Sequence, residues 1–244
     1  MDFQDLITYQ DILAFLVLVA CLSITVITRR IAEKQVSKPA KTEEEPEEAK
    51  YSHLFVHTAR LKEAETSQSA KSLRKAYRKN WAERILGAKA YPEAREIIRN
   101  MIMTNTAVLS AVLISFGLLL SGFSVLEASG GPYSALKMVS ISTLLIYSLF
   151  MLISESRILN YIPILIWVDK EIISTMQKQD KTDYLAGLMD DAFDRFSDSL
   201  RAIFYAVVCI FWFFYTPAFI FATIVLTLII VASDLDRSLR ITIF

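Results

Sequence analysis

The chain has 244 residues, is 54% hydrophobic and 21% charged, and has a mean hydropathy of +0.40 with only 6 glycines. That is too apolar and too glycine-poor for an ordinary soluble enzyme, and it points to an all-α integral membrane bundle. Lys plus Arg equals Asp plus Glu at 26 each, which excludes a generally basic nucleic-acid binder and an acidic disordered chain, so no nucleic-acid partner is expected.

In chain order, the first apolar run is Ile12 to Thr28, 17 residues that at about 1.5 Å each just cross a hydrocarbon core. Asp2, Asp5 and Asp11 precede it and Arg29 and Arg30 follow, the reverse of a signal peptide, so it reads as a retained anchor. Residues 37–50, SKPAKTEEEPEEAK, contain no large apolar side chain and cannot offset the entropy of ordering, which makes them a flexible charged linker.

From Ser69 to Gly87 the apolar residues Leu73, Tyr77, Trp81 and Ile85 recur every fourth position among Lys71, Arg74, Lys75, Arg78, Lys79 and Arg84. This is a basic amphipathic helix with two readings: it lies among anionic headgroups, or it packs on the chain's own second charged segment. Gly87 is expected to close it, and Pro92 with Glu93 to open the next helix, which puts Arg95 and Arg99 about one turn apart.

Met101–Ser121 and Ala135–Ser154 are runs of 21 and 20 residues separated by Gly122, Gly130, Gly131 and Pro132, and are expected to form an antiparallel transmembrane hairpin. Thr106, Ser110 and Gly117 in one helix, and Ser140, Thr143, Tyr147 and Ser154 in the other, are expected at helix contacts. Thr182–Leu200 places Leu185, Leu188, Met189, Ala192, Phe193, Phe196 and Leu200 on one face and Asp190, Asp191, Asp194 and Asp198 on another.

The last apolar region, Ala202–Ser233, is interrupted at Thr216-Pro217. A single kinked span is expected, because a half of about 15 residues reaches only about 22 Å across a core of about 30 Å; a hairpin of two halves is the alternative. The chain thus divides into an amino-terminal tail and first span (1–30), a linker (31–68), a basic amphipathic region (69–100), a transmembrane hairpin (101–154), an acidic amphipathic region (155–201), a Pro-kinked transmembrane region (202–233) and a tail (234–244). That is about four transmembrane helices.

The segment 29–99 carries 17 Lys/Arg and 11 Asp/Glu, whereas the amino-terminal tail has three Asp with no base and the 122–134 loop has only Glu127. Basic residues stay inside, so 29–99 and 156–201 are expected in the cytoplasm, with the amino terminus outside a cell membrane. Residues 156–201 hold six Lys/Arg against eight Asp/Glu, and their net −2 opposite the +6 of 29–99 predicts that the two segments dock.

Chemistry-bearing constellations are few. Asp190, Asp191 and Asp194 have the DDxxD spacing that holds magnesium and a diphosphate, but no second acidic motif faces them. His53 and His57, at i and i+4, make at most half a metal site. Cys21 and Cys209 lie in apolar runs and supply neither a CxxC pair nor a zinc set, so no cofactor is expected. A coupled transporter is disfavoured because no carboxylate or cation appears buried at mid-membrane; a passive oligomeric channel stays open.

Four strings then resemble a family of multi-pass membrane proteins of archaea, bacteria and plants that is known as a domain of unknown function: Arg78 with Trp81; Ile98-Arg99-Asn100 with Met103 and Thr106; Ser156-Arg157 with Leu159-Asn160; and Leu200-Arg201-Ala202 with Trp212. The resemblance covers about residues 75–232 and implies about four transmembrane helices and no particular activity. Where that family usually has Gly before the last string, a Tyr soon after its Arg, and Gly-Pro beyond, this chain has Ser199, Phe204 and Thr216-Pro217.

Arg78, Trp81, Arg99, Arg157 and Arg201 are expected at one membrane boundary, as a basic surface for anionic headgroups or an acidic partner. The reading is a non-catalytic structural or interaction subunit, in a homo-oligomer or a larger membrane complex. A small membrane enzyme acting on lipid or isoprenoid phosphates through Asp190, Asp191 and Asp194 is the alternative.

Overall fold

The computed structural model describes residues 3–36, 70–122 and 133–235, and seven α-helices account for nearly all of them. They are α1 (Phe3–Val36), α2 (Ala70–Ala88), α3 (Tyr91–Ser121), α4 (Ser134–Trp167), α5 (Lys170–Gln177), α6 (Lys181–Phe214) and α7 (Thr216–Leu235). The protein is an all-α membrane bundle, and five of these helices, α1, α3, α4, α6 and α7, are long and apolar enough to cross a bilayer. His53, His57, the acidic linker and the loop carrying Glu127 lie outside the described residues.

The centre is the antiparallel pair α4 and α6, each of 34 residues. At about 1.5 Å per residue each is about 51 Å long, well beyond a hydrocarbon core of about 30 Å, so both continue out of the apolar layer. Their crossing is marked by Ser148 and Ser199, both wholly buried, whose hydroxyl oxygens are 3.0 Å apart. Small hydroxyl residues let two backbones approach and give each hydroxyl a partner in a dry site. Ser199 is wholly buried at this contact, so a larger side chain there would have to displace its neighbours.

Two apolar clusters stack along this pair. The larger joins α1, α3, α4, α6 and α7 through Leu18, Val112, Leu145, Tyr205, Trp212 and Phe219. The smaller joins α2, α3, α4 and α6 through Ile85, Ile98, Leu159, Ile162, Leu185 and Met189. α3 contributes a narrow stripe, Ala94, Ile98, Asn105 and Val112, and exposes apolar residues such as Met103, Leu113, Ile114 and Leu118.

The region 202–233 is two helices rather than one kinked span. Tyr215 is extended (φ −157°, ψ 104°), and Pro217 lies in the first turn of α7, where its missing N–H leaves no bond unmade. α7 returns alongside α6: Trp212 stacks on Phe219 with ring centroids 4.9 Å apart, Tyr205 Oη is 2.9 Å from Thr227 Oγ1, and Arg201 meets Asp234. Neither helix is too short to span, because α6 starts at Lys181 and not at Ala202, and α7 alone has 20 residues. The end of α7 therefore lies at the same end of the bundle as Arg201, and five of the described helices, one more than the expected four or so, have the length and apolarity of a span.

Two local expectations are also corrected. α2 runs through Gly87 and stops at Lys89, which takes the left-handed conformation (φ 51°) while Ala90 N–H donates to Ile85 O at 3.2 Å. The hydroxyls of Thr106, Ser110 and Thr143 make no bond to a neighbouring helix among the described residues: each residue is exposed and donates to a carbonyl of its own helix one turn back, and a Cβ added at Gly117 would touch nothing within 4 Å. The polar contact between α3 and α4 is made instead by Asn105, whose Nδ2 donates to Leu152 O at 2.9 Å and Ser156 Oγ at 2.7 Å.

Candidate functional site at the arginine end

The acidic face of α6 is a ladder. From Asp183 to Asp198 it covers about 22 Å of helix, and cations of two other helices meet it along that length. Lys79 of α2 pairs with Asp183 at 2.6 Å, Arg78 of α2 with Asp190, and Arg29 of α1 with Asp198 and, at 3.4 Å, with Asp194. Arg201, one turn on, pairs with Asp234 of α7 at 2.5 Å and stands 3.9 Å from Asp198. The two oppositely charged segments therefore dock, with Arg78 also lying 4.3 Å from the centroid of the Phe193 ring.

This arrangement divides the DDxxD triplet. Asp190 faces Arg78, Asp194 faces Arg29, and Asp191 is exposed, so the carboxylates point to separate cations instead of one ion. Among the described residues no three His, Cys, Asp or Glu side chains converge as a metal site would require.

The five sequence-nominated positions part into two groups. Arg78 and Arg201 are engaged in the ladder, and Trp81 is half-buried against the smaller apolar cluster, beside Ala82 and Ile85. Packing on α6 thus describes α2 better than an exposed stripe does, although Tyr77 stays exposed. Arg99 and Arg157 are exposed, and neither makes an ion pair among the described residues.

Arg99 lines a cleft of about 670 Å³ between the start of α3 and the end of α4. Its α3 wall is Tyr91, Pro92, Arg95, Glu96 and Arg99, and its α4 wall is Pro163, Ile166 and Trp167. Tyr91 and Trp167 touch at its rim, with ring centroids 4.8 Å apart. A second cleft of about 560 Å³, between α1, α4 and α6, has Arg29, Arg30 and Arg201 at one end and Leu22, Val26 and Leu144 along its wall, but Asp198 already neutralises part of its charge.

The corner before α6 is held by Lys181 and Asp180. Lys181 Nζ donates to the last carbonyls of α4, Ile166 O at 2.8 Å and Val168 O at 2.7 Å. Asp180 caps α6 by accepting from Thr182 N–H, and its hydrogen bond from Lys170 holds its carboxyl below the ordinary carboxylate value. The same bond raises Lys170.

At the opposite end, sequence reading missed a buried ion pair. Asp11 is 2% exposed and Lys137 5% exposed, and Lys137 Nζ lies 3.3 Å from Asp11 Oδ1, above the rings of Trp212 and Phe213. The same oxygen accepts from Trp212 Nε1 at 2.9 Å and Thr216 Oγ1 at 3.2 Å. Glu155, at the junction between the two apolar clusters, is also buried. All three lie at the edges of the apolar runs, where hydropathy alone does not show that they are buried; the tertiary fold turns them inward.

A family model described as "Protein of unknown function, DUF599" matches residues 49–238. No curated protein and no solved structure matches the chain.

Proposed function

The chain belongs to the DUF599 family, and from that premise and the geometry above we propose that it is a non-catalytic membrane structural or interaction protein, an accessory component of a homo-oligomer or a larger complex. The observation that carries this is the use of the α6 carboxylates: Asp183, Asp190, Asp194 and Asp198 each meet a cation of another helix and hold the helical layer together. α3 presents a long apolar side away from the bundle, which lipid or a neighbouring subunit would cover.

The arginine end faces the cytoplasm of a cell membrane in this reading. The support is the positive charge of 29–99, against an amino-terminal tail with none. The amino terminus is then outside and the end of α7 inside. The basic surface left after internal pairing, with Arg99 and Arg157 exposed, meets anionic headgroups or an acidic partner.

Purification in mild detergent with mass measurement tests the assignment. A defined oligomer or a stoichiometric complex is expected. A monomer that turns over lipid or isoprenoid phosphates with magnesium would overturn it.

A further inference from the structure

We propose that the cleft between the start of α3 and the end of α4 binds the phosphate headgroup of an anionic phospholipid, with Arg95 and Arg99 as the paired cations. The inference rests on the reading that the arginine end lies at a leaflet surface, and it deepens that reading by naming the site.

Arg95 and Arg99 are four residues apart, so on a helix they project from one face, and with Tyr91 a further turn back they line one wall of the cleft. Both are exposed and neither makes an ion pair among the described residues, in contrast to Arg29, Arg78 and Arg201. Glu96 is the one carboxylate in the lining, so the wall carries a net positive charge. Two guanidinium groups on one helix face offer parallel N–H donors, the geometry that suits phosphate oxygens.

The depth of the cleft fits the same ligand. Arg99 stands two residues before the apolar run that begins at Met101, and the opposite wall is apolar, Pro163 and Ile166. Trp167, 73% exposed, pairs with Tyr91 at the rim, and such rings prefer the headgroup level of a bilayer. A volume of about 670 Å³ falls within the range of about 300–1,000 Å³ for small-molecule sites. The second cleft is less suited to an anion, because Asp198 already faces its Arg29 and Arg201.

The test uses the full chain in detergent and in nanodiscs, with phosphatidylglycerol, phosphatidylcholine and inorganic phosphate as probes and native mass spectrometry as the readout. Wild type is expected to retain phosphatidylglycerol over phosphatidylcholine. The double variant Arg95→Gln/Arg99→Gln should lower that retention roughly tenfold or more, while Arg157→Gln, on the same basic surface but outside the lining, lowers it much less. The double Arg→Lys variant should keep part of the selectivity, and an unchanged unfolding temperature of each variant separates lost binding from lost fold.

If wild type retains phosphatidylglycerol selectively but only Arg157→Gln lowers it, the cleft is the wrong place while the leaflet reading stands. If wild type has no preference for the anionic lipid, the leaflet reading falls with it. Displacement of phosphatidylglycerol by millimolar inorganic phosphate would assign the cleft to a free anion and overturn the lipid.

Discussion

Removing Asp11 should unfasten α1 from the rest of the bundle. Its Oδ1 receives Lys137 Nζ at 3.3 Å, Trp212 Nε1 at 2.9 Å and Thr216 Oγ1 at 3.2 Å, so one carboxylate ties α1 to α4, α6 and α7. In Asp11→Ala the Lys137 ammonium, 5% exposed, is left in an apolar site without its counter-charge, a loss of about 3–5 kcal/mol. The indole N–H of Trp212 also loses its acceptor, which keeps the expected cost near the upper end of that range. Asp11→Asn/Lys137→Met removes both charges and retains an acceptor for Trp212 and Thr216, so it should stand within about 1 kcal/mol of wild type. Thermal unfolding in detergent, followed by tryptophan fluorescence, gives the four corners of the cycle. The cycle of Asp11→Asn and Lys137→Met should give a coupling of about 2 kcal/mol or more; a coupling below about 0.5 kcal/mol would refute the claim that this pair fastens α1.

Three further outcomes follow from the same packing. Asn105→Ala removes both bonds from α3 to α4 and should cost about 1 kcal/mol, read as faster hydrogen exchange in α3 than elsewhere. Ser199→Leu puts a large side chain against Ser148 at the α4–α6 crossing and should lower stability by about 1–3 kcal/mol, whereas Ser199→Gly changes it much less; unfolding midpoints of the two variants decide the order. Asp180→Ala removes the cap of α6 and should cost about 1 kcal/mol. Because the Asp180 carboxyl is held below its ordinary value of 3.8, its stabilising contribution is complete above that pH and is lost as the pH falls below it; a flat stability difference between wild type and Asp180→Ala across that window would contradict the cap.

Much of this architecture is legible in the sequence. Long apolar runs, turn residues and Pro92 mark the helices because those signals are local, and the opposite charges of α2 and α6 predict their docking because the cations and carboxylates recur at helical spacing. What is not legible depends on tertiary partners. Thr216-Pro217 alone does not distinguish a kink from a reversal; the answer lies in Tyr205, Arg201 and Trp212 meeting Thr227, Asp234 and Phe219. Likewise Thr106 and Ser110 read as contact residues from their type, yet Asn105, beside them, is the one turned inward, a choice set by where α4 lies. Of the candidate site, Arg99 and Arg95 are readable as boundary cations, but their separation from Arg78 and Arg201 is not, since the sequence does not show which arginines already face aspartates.

The central claim is that the aspartates of α6 hold the protein's own helices, and the Arg78–Asp190 pair tests it most directly. Limited proteolysis and unfolding of Arg78→Gln, Asp190→Asn and the double variant, combined with a magnesium-dependent turnover assay on lipid and isoprenoid phosphates, cover both readings. The account predicts that either single variant loosens α2, that the double variant is no worse than the more damaging single one, with a coupling of about 0.5–1 kcal/mol, and that no turnover is detected in any of the proteins. An Asp190→Asn protein with unchanged α2 protection, in which a magnesium-dependent turnover present in wild type is abolished, would contradict it.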